Sequence, residues 1–191
     1  MVRVFHGRQE KFDVPQTSRI EHSIREDPMR ISLAILSLSA LLLTGCSASD
    51  ESGFAADGSC DGVIVEVNFV EFAPAISSCV VINGSSEVAK DVLGQAGVNV
   101  EGTRVYGDAV VCRVNGVPSA TEPLLVEGEE PHLETCDEFP PAFAYWSLWV
   151  KESDDSEWDY AMEGVGSLQL SKGQSVGLAL TLGGVTTTPS P

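Results

Sequence analysis

One short apolar run divides this sequence of 191 residues into two parts. The run, residues 31–43, is thirteen residues long, whereas a helix that spans a membrane needs about 20. It follows Met29-Arg30 and leads into Thr44-Gly45-Cys46, where small residues precede a cysteine. A basic residue, a short apolar core and small residues at its end are typical of a signal peptide. The sequence therefore predicts an exported chain whose folded part follows the run.

Residues 43–46, Leu-Thr-Gly-Cys, resemble the lipobox of bacterial lipoproteins. The resemblance implies cleavage before Cys46, a thioether-linked diacylglycerol on Cys46, and acylation of the new N-terminus by a fatty acid such as palmitate. The mature protein is then expected on the extracytoplasmic face of the cell membrane, held there by its lipid. The alternative is an ordinary signal peptide with an incidental cysteine.

The first 28 residues do not look like part of a signal peptide. They mix charges, as in Arg8-Gln9-Glu10-Lys11, whereas the first region of a signal peptide is short and basic. Met29 is therefore the predicted start, and a translated longer leader is the alternative. Either version predicts a leader and signal peptide over 1–45, a lipidated tether over 46–61, a folded domain over 62–182 and a flexible tail over 183–191.

The charge excludes one class of partner. The sequence has 11 Lys and Arg against 28 Asp and Glu, and from Cys46 onwards it has 5 against 23, a net charge of −18. A polyanion or an anionic lipid surface would repel such a domain. We therefore expect no nucleic acid partner, and contact with the membrane through the lipid at Cys46 alone.

Four cysteines remain for the mature domain: Cys60, Cys79, Cys112 and Cys136. An even number in an exported chain predicts two disulfides. Cys112 lies on an apolar, strand-like run and Cys136 precedes residues 139–141, Phe-Pro-Pro, so a bridge between them would close an acidic loop. Of the three pairings, we favour Cys112 with Cys136 and Cys60 with Cys79. Zinc is the rival use, but no two cysteines have the spacing of a zinc knuckle.

The hydrophobic pattern predicts one helix among several strands. Residues 63–69 alternate between apolar and polar, which is typical of a half-buried strand. Ser85 or Ser86 is the expected cap of a helix whose apolar positions recur up to Ala96 and which ends at Gly97. Further strands are predicted at 79–82, 109–114, 144–150, 158–162 and 175–182. The result is an α+β domain, with the helix packed on one face of a small mixed sheet.

The order of these elements resembles a known family. A helix ending at Gly97, a strand ending in the Asn115-Gly116 turn, the aromatic strands 144–149 and 158–160, and a Gly-rich last strand follow one another. This order is similar to secreted bacterial domains of unknown function that are related to the C-terminal, β-grasp-like domain of transcobalamin and intrinsic factor. The likeness covers residues 62–182. It implies a ligand-binding module rather than an enzyme, since the transcobalamin domain helps to enclose cobalamin.

Five aromatic residues are the candidate binding residues: Tyr145, Trp146, Trp149, Trp158 and Tyr160. On a strand, Trp146 and Leu148 share one face while Tyr145 and Trp149 share the other, so part of the set is expected to form an exposed stacking surface. Such a surface suits a flat organic ligand, a glycan or a protein. The alternative is that the rings build the core of a small domain.

No catalytic residue, metal site or cofactor is predicted. The acidic groups of 152–159 and 127–138 are expected to be solvated surface, and His132 is expected to be an exposed loop residue without a nucleophile motif. The sequence therefore predicts a non-catalytic binding module. Its expected ligand is a small organic molecule, such as a corrinoid that is delivered to a transporter. The alternative is a protein-interaction module of a cell-envelope complex. A concave pocket beside Trp146 and Trp149 would favour the first, and an exposed strand edge the second.

Overall fold

The structure is a computed structural model that describes residues 53–189. The predicted leader, the signal peptide, Cys46 and the first part of the tether lie outside the described residues. The described chain forms nine strands and one helix in this order: β1 Val63–Asn68, β2 Ile76–Val80, β3 Glu87–Val88, α1 Ala89–Gln95, β4 Val100–Thr103, β5 Gly107–Val114, β6 Ala144–Lys151, β7 Asp159–Tyr160, β8 Gln169–Leu170 and β9 Ser175–Leu182.

Five of the strands form one mixed sheet in the order β2-β1-β9-β6-β7. The central strand β9 runs parallel to its neighbour β1, and every other neighbouring pair is antiparallel. Two small antiparallel pairs, β3 with β8 and β4 with β5, complete the described strands. The predicted α+β domain with one helix and a mixed sheet is confirmed at this level.

The core lies on one face of the sheet, which we call the inner face. Val63, Val65 and Val67 of β1 are fully buried there, as the alternating pattern of residues 63–69 predicts. Their neighbours on β9 are Val176 and Leu178. The helix packs into the same core through its three buried residues, Ala89, Val92 and Leu93.

The start of the helix differs from the prediction. Neither Ser85 nor Ser86 caps it, because Glu87 and Val88 are extended and pair with β8. The first helical N–H groups are instead satisfied by a distant loop: Ala89 N donates to Leu168 O and Lys90 N to Val165 O. The predicted end is confirmed, since Gly97 has a φ of +74°, a conformation that favours glycine.

Strand β2 also has other bounds than predicted. It covers residues 76–80 instead of 79–82, because it pairs with β1 in a register that joins Val67 to Ile76 and Val63 to Val80. Ile82 lies beyond the strand and is nevertheless buried. The local pattern of apolar residues identified buried positions here, while the cross-strand pairing decided where the strand ends.

The last described residues cover part of the opposite, outer face of the sheet. Pro189 is buried against Gly177 of β9, where the ring of Trp158 also lies. The Asn68 Nδ2 group donates to Thr188 O at 3.1 Å. Within 183–189, the described part of the predicted tail, the chain thus contacts β1 and β9.

Among the described residues, no helix has both the length and the apolar character needed to cross a membrane.

Candidate ligand-binding cavity

A cavity of about 530 Å³ lies between β5 and β6. Residues 109–111 of β5 and 145–148 of β6 line two of its sides. Phe139, Pro140 and residues 160–165 line the rest. Most of these residues are apolar, and the volume falls within the range of about 300 to 1,000 Å³ that is usual for small-molecule sites. We call it the β5–β6 cavity.

The disulfide between Cys112 and Cys136 positions one wall of this cavity. It joins β5 to the segment that carries Phe139, with the two Cα atoms 5.5 Å apart. Backbone bonds hold the same segment to the turn before β5, since Arg104 N donates to Cys136 O at 2.7 Å and Val105 N to Asp137 O at 3.1 Å. The wall is therefore attached to β5 at several points.

The ring of Phe139 then packs against Tyr106, with ring centroids 4.2 Å apart. Phe139 is nevertheless 64% exposed, as is expected of a residue at the rim of an open cavity.

Both predicted cysteine pairs are confirmed. Cys60 is bonded to Cys79, with Cα atoms 5.6 Å apart, and Cys112 to Cys136. The first bond holds the segment before β1 against β2, at the edge of the sheet far from β6 and β7. The second closes the acidic loop, as the argument from its position in the sequence predicts.

A second wall depends on a glycine. Gly164 approaches the backbone of β5 so closely that a side-chain carbon at position 164 would overlap Asp108 O and Ala109 Cα. Only glycine allows this approach. The next residue, Val165, is fully buried and accepts the bond from the helix at Lys90 N. The loop 160–165 is thus fixed between β5 and α1.

Trp146 is the only one of the five predicted aromatic residues that both lines the cavity and lies on the inner face. It is 6% exposed and meets Phe69 edge to face, with centroids 5.3 Å apart. Its Nε1 donates to Val117 O at 2.9 Å. Because its polar atom is satisfied within the protein, a ligand would contact the ring rather than the Nε1 group.

Trp149 and Tyr160 form a separate pair on the outer face. Their rings stack with centroids 4.0 Å apart, across the β6–β7 pairing that joins these two residues. Trp149 is 7% exposed, and its Nε1 donates to Ser147 Oγ. Tyr160 covers it and is 53% exposed. This pair fits the predicted separation of Trp146 and Trp149 onto opposite faces.

The remaining two aromatic residues also lie outside the inner face. Trp158 is half-buried beside Gly177, and the Lys151 ammonium lies 4.9 Å from its ring centroid. Tyr145 is half-buried, and its hydroxyl lies 3.4 Å from Thr186 Oγ1. The hydrogen bond with Thr186 lowers the pKa of Tyr145 from its ordinary value. Of the five predicted residues, Tyr145, Trp146 and Tyr160 thus line the β5–β6 cavity, while Trp149 and Trp158 lie outside its lining.

Two predictions about acidic and basic groups are wrong in detail. Glu134, expected on a solvated surface, is 6% exposed, and its carboxylate accepts the Cys136 N–H at 2.7 Å. His132, expected to be an exposed loop residue, is half-buried, lies 3.3 Å from the same carboxylate and meets Phe143 edge to face. The carboxylate is buried because it stabilises the turn at Cys136, a contact that depends on the disulfide loop.

One group of close metal-ligand atoms occurs in the described part of the chain. It consists of Glu101, Cys112 and Cys136. The two sulfurs are bonded to each other, and a metal ligand is a thiolate. Glu101 is paired with Arg113. This arrangement serves as a structural contact.

Most residues around the cavity were not identified from the sequence. Ala109, Met162, Glu163 and Gly164 carry no local signal, because each is separated from Trp146 by many residues in the chain. Phe139 and Pro140 were noted only as neighbours of Cys136. The predicted bond from Cys112 to Cys136 was the one indication in the sequence that the segment with Phe139 and Pro140 lies beside β5.

Comparisons with protein-family models, with curated proteins and with solved structures found no match to this chain.

Proposed function

We propose that this chain is a lipid-anchored, extracytoplasmic protein that acts as a non-catalytic binding module for a small organic ligand. The observation that carries the proposal is the β5–β6 cavity, which is concave, mostly apolar and bordered by Trp146. A cavity of about 530 Å³ suits a ligand of one or a few rings. A corrinoid is larger than this and would be held by one edge only.

The non-catalytic part of the proposal rests on the cavity lining. Its titratable side chains are Glu163 and the two tyrosines 145 and 160. The Ser147 hydroxyl, the one hydroxyl of a serine in the lining, donates to Ala179 O at 3.1 Å. Nucleophilic catalysis needs a base within hydrogen-bond distance of the nucleophile, and this lining offers Ser147 none.

The order of strands in the sheet supports an orientation in which the cavity lies away from the lipid anchor. In the proposed mature protein, Cys46 carries the lipid, and the tether reaches the domain at Cys60, which is bonded to Cys79 of β2. Strand β2 is one edge of the five-stranded sheet, while β6 and β7, which border the cavity, lie at the other. The attachment point and the cavity are therefore at opposite edges of the sheet.

The β-grasp-like assignment is part of the same proposal. A first hairpin, β1 and β2, is followed by the helix, and the last strand returns to the centre of the sheet parallel to β1. This arrangement supports assignment to a β-grasp-like fold, in which a mixed sheet packs against one helix. It agrees with the resemblance to the transcobalamin C-terminal domain, which binds its ligand without catalysing a reaction.

Tryptophan fluorescence of the purified 47–191 domain, titrated with aromatic compounds, haems, corrinoids and short glycans, tests the proposal. Trp146 lines the cavity and Trp149 does not. We expect saturable quenching in the wild type and in Trp149→Phe, and its loss in Trp146→Phe. Quenching lost equally in both variants, or no response to any compound in the folded protein, would contradict the proposed site.

A protein-interaction module is the second candidate, and one observation favours it. Strand β7 pairs with only Trp149 and Val150, so within the described residues no strand pairs with that edge of β6 over residues 145–147. Such an edge can accept a strand from a partner. A photocrosslinker at position 162 in living cells distinguishes the two candidates: a protein-sized adduct, absent with the crosslinker at position 125, favours the partner protein.

A further inference from the structure

The charges around the β5–β6 cavity are of one sign. A second cavity of about 380 Å³ adjoins it and shares Tyr160, Ala161, Met162 and Glu163 with its lining. The second cavity adds three further carboxylates, those of Glu152, Glu157 and Asp159. Among the described residues, no Lys, Arg or His lines either cavity.

The basic groups of the domain are occupied elsewhere. Within residues 53–189, each of the five lies beside a partner that lines neither cavity: Lys90 on Asp108, Arg104 on Asp137, Arg113 on Glu101, Lys172 on Asp61, and Lys151 over the ring of Trp158. The carboxylates of Glu157, Asp159 and Glu163 therefore have no basic side chain of the described chain within ion-pair distance.

We propose that the β5–β6 cavity selects a cation, namely an organic amine whose apolar body fills the cavity and whose ammonium group lies beside Glu163 toward the second cavity. The proposal rests on the proposed function, because it names the ligand class of the same site. A carboxylate or phosphate entering this site would lose hydration and meet only like charges. An ammonium group is stabilised by the electrostatic field of the carboxylates. The ring of Tyr160, which lines both cavities, can add a cation–π contact.

The residues that line both cavities set the expected position of the ligand's charge. Glu163 is the one carboxylate that lines both cavities, so it lies where an apolar body in the first and a charge in the second would meet. Its neighbour Met162 also belongs to both linings and is 95% exposed, so the border between the two cavities lies at the surface. A ligand can therefore keep part of its ammonium group hydrated, which lowers the cost of burying the charge.

Three probes of one shape and different charge test the inference: naphthylmethylammonium, naphthalenemethanol and naphthoate. Their affinities for the 47–191 domain are measured by equilibrium dialysis at low and at high salt. We expect the ammonium probe to bind about tenfold or more tightly than the carboxylate, with the alcohol between them and the difference smaller at high salt.

Two charge-neutralising variants separate a local from a general effect. Glu163→Gln is expected to weaken binding of the ammonium probe about threefold to fivefold and to leave the alcohol unchanged. Glu122→Gln removes the same charge from an exposed residue that lines neither cavity, and it should change neither affinity. Equal losses in both variants would assign the preference to the net charge of the domain and would overturn the inference.

The remaining outcomes are also decisive. If all three probes bind with equal affinity, the cavity binds organic ligands without selecting a cation, and the inference fails while the proposed function stands. If the naphthoate binds most tightly, the inference is wrong in sign. If no probe binds the folded domain, the proposed small-molecule site fails, and the inference fails with it.

Discussion

Pro189 packs directly on Gly177, so closely that a side-chain carbon at position 177 would overlap the proline ring. Gly177 lies in the middle of β9, which is central in the sheet. Glycine weakens a strand, so its use there needs a packing reason. The reason is that the segment 186–189 crosses the outer face at this point, with the Trp158 ring beside it.

Gly177→Ala is therefore expected to destabilise the domain by about 1–3 kcal/mol, because the added methyl displaces Pro189 and crowds Trp158. Urea unfolding measures the effect. Pro189→Gly serves as the second member of a double-mutant cycle. The cost of Gly177→Ala should fall when Pro189 is absent, and an unchanged cost would show that the contact with Pro189 is not what the glycine accommodates.

The two disulfides are expected to have similar effects on stability and different effects on binding. Their loops span 19 and 24 residues, and chain entropy predicts about 3 kcal/mol for each. Replacing Cys112 and Cys136 by alanine also frees the wall that carries Phe139, whereas replacing Cys60 and Cys79 leaves the cavity intact. Thermal unfolding and ligand titration of the two double variants test this, and equal loss of binding would contradict it.

The rim of the cavity can be altered without disturbing the core. Phe139 and Met162 are 64% and 95% exposed, so Phe139→Ala and Met162→Ala should each change the free energy of unfolding by less than about 1 kcal/mol. Both should weaken ligand binding, because apolar contact area is lost. Leu125→Ala is the matched control, since Leu125 is 77% exposed and lines neither cavity. Wild-type affinity in both rim variants would argue against ligand contact there.

Tyr145 makes stability depend on pH at the alkaline end. Its hydrogen bond with Thr186 lowers the pKa of the phenol in the folded state. A lowered pKa contributes stability that is complete above the ordinary value of about 10 and is lost as the pH falls through the folded-state value. The stability difference between the wild type and Tyr145→Phe should therefore widen as the pH rises toward 10. Urea titrations at pH 8, 9 and 10 measure it, and a constant difference would refute it.

Several features follow from local patterns in the sequence. The alternation of residues 63–69 places Val63, Val65 and Val67 in the core, because successive side chains on a strand point to opposite faces. Gly97 ends the helix because glycine adopts a positive φ without strain. The even number of cysteines predicted two disulfides, and the acidic loop between Cys112 and Cys136 favoured the one of three pairings that the structure has.

Other features depend on contacts between distant residues. Glu87 and Val88 are strand rather than helix, because they pair with Leu170 and Gln169. Pairing with β1 likewise decided the bounds of β2. In each case the backbone hydrogen bonds of a short segment are satisfied by a partner far along the chain, and local propensity is a weak guide there.

The sequence by itself determined the acidic charge, the even number of cysteines in the domain and the alternation that separates Trp146 from Trp149, and it predicts an export signal at residues 31–46. Only the tertiary structure decided the candidate site, because its walls come from β5, from the segment after Cys136 and from the loop 160–165. A cavity is the space left between elements that pack by long-range contacts. Its shape therefore depends on how those elements meet, which the pattern within any one of them does not specify.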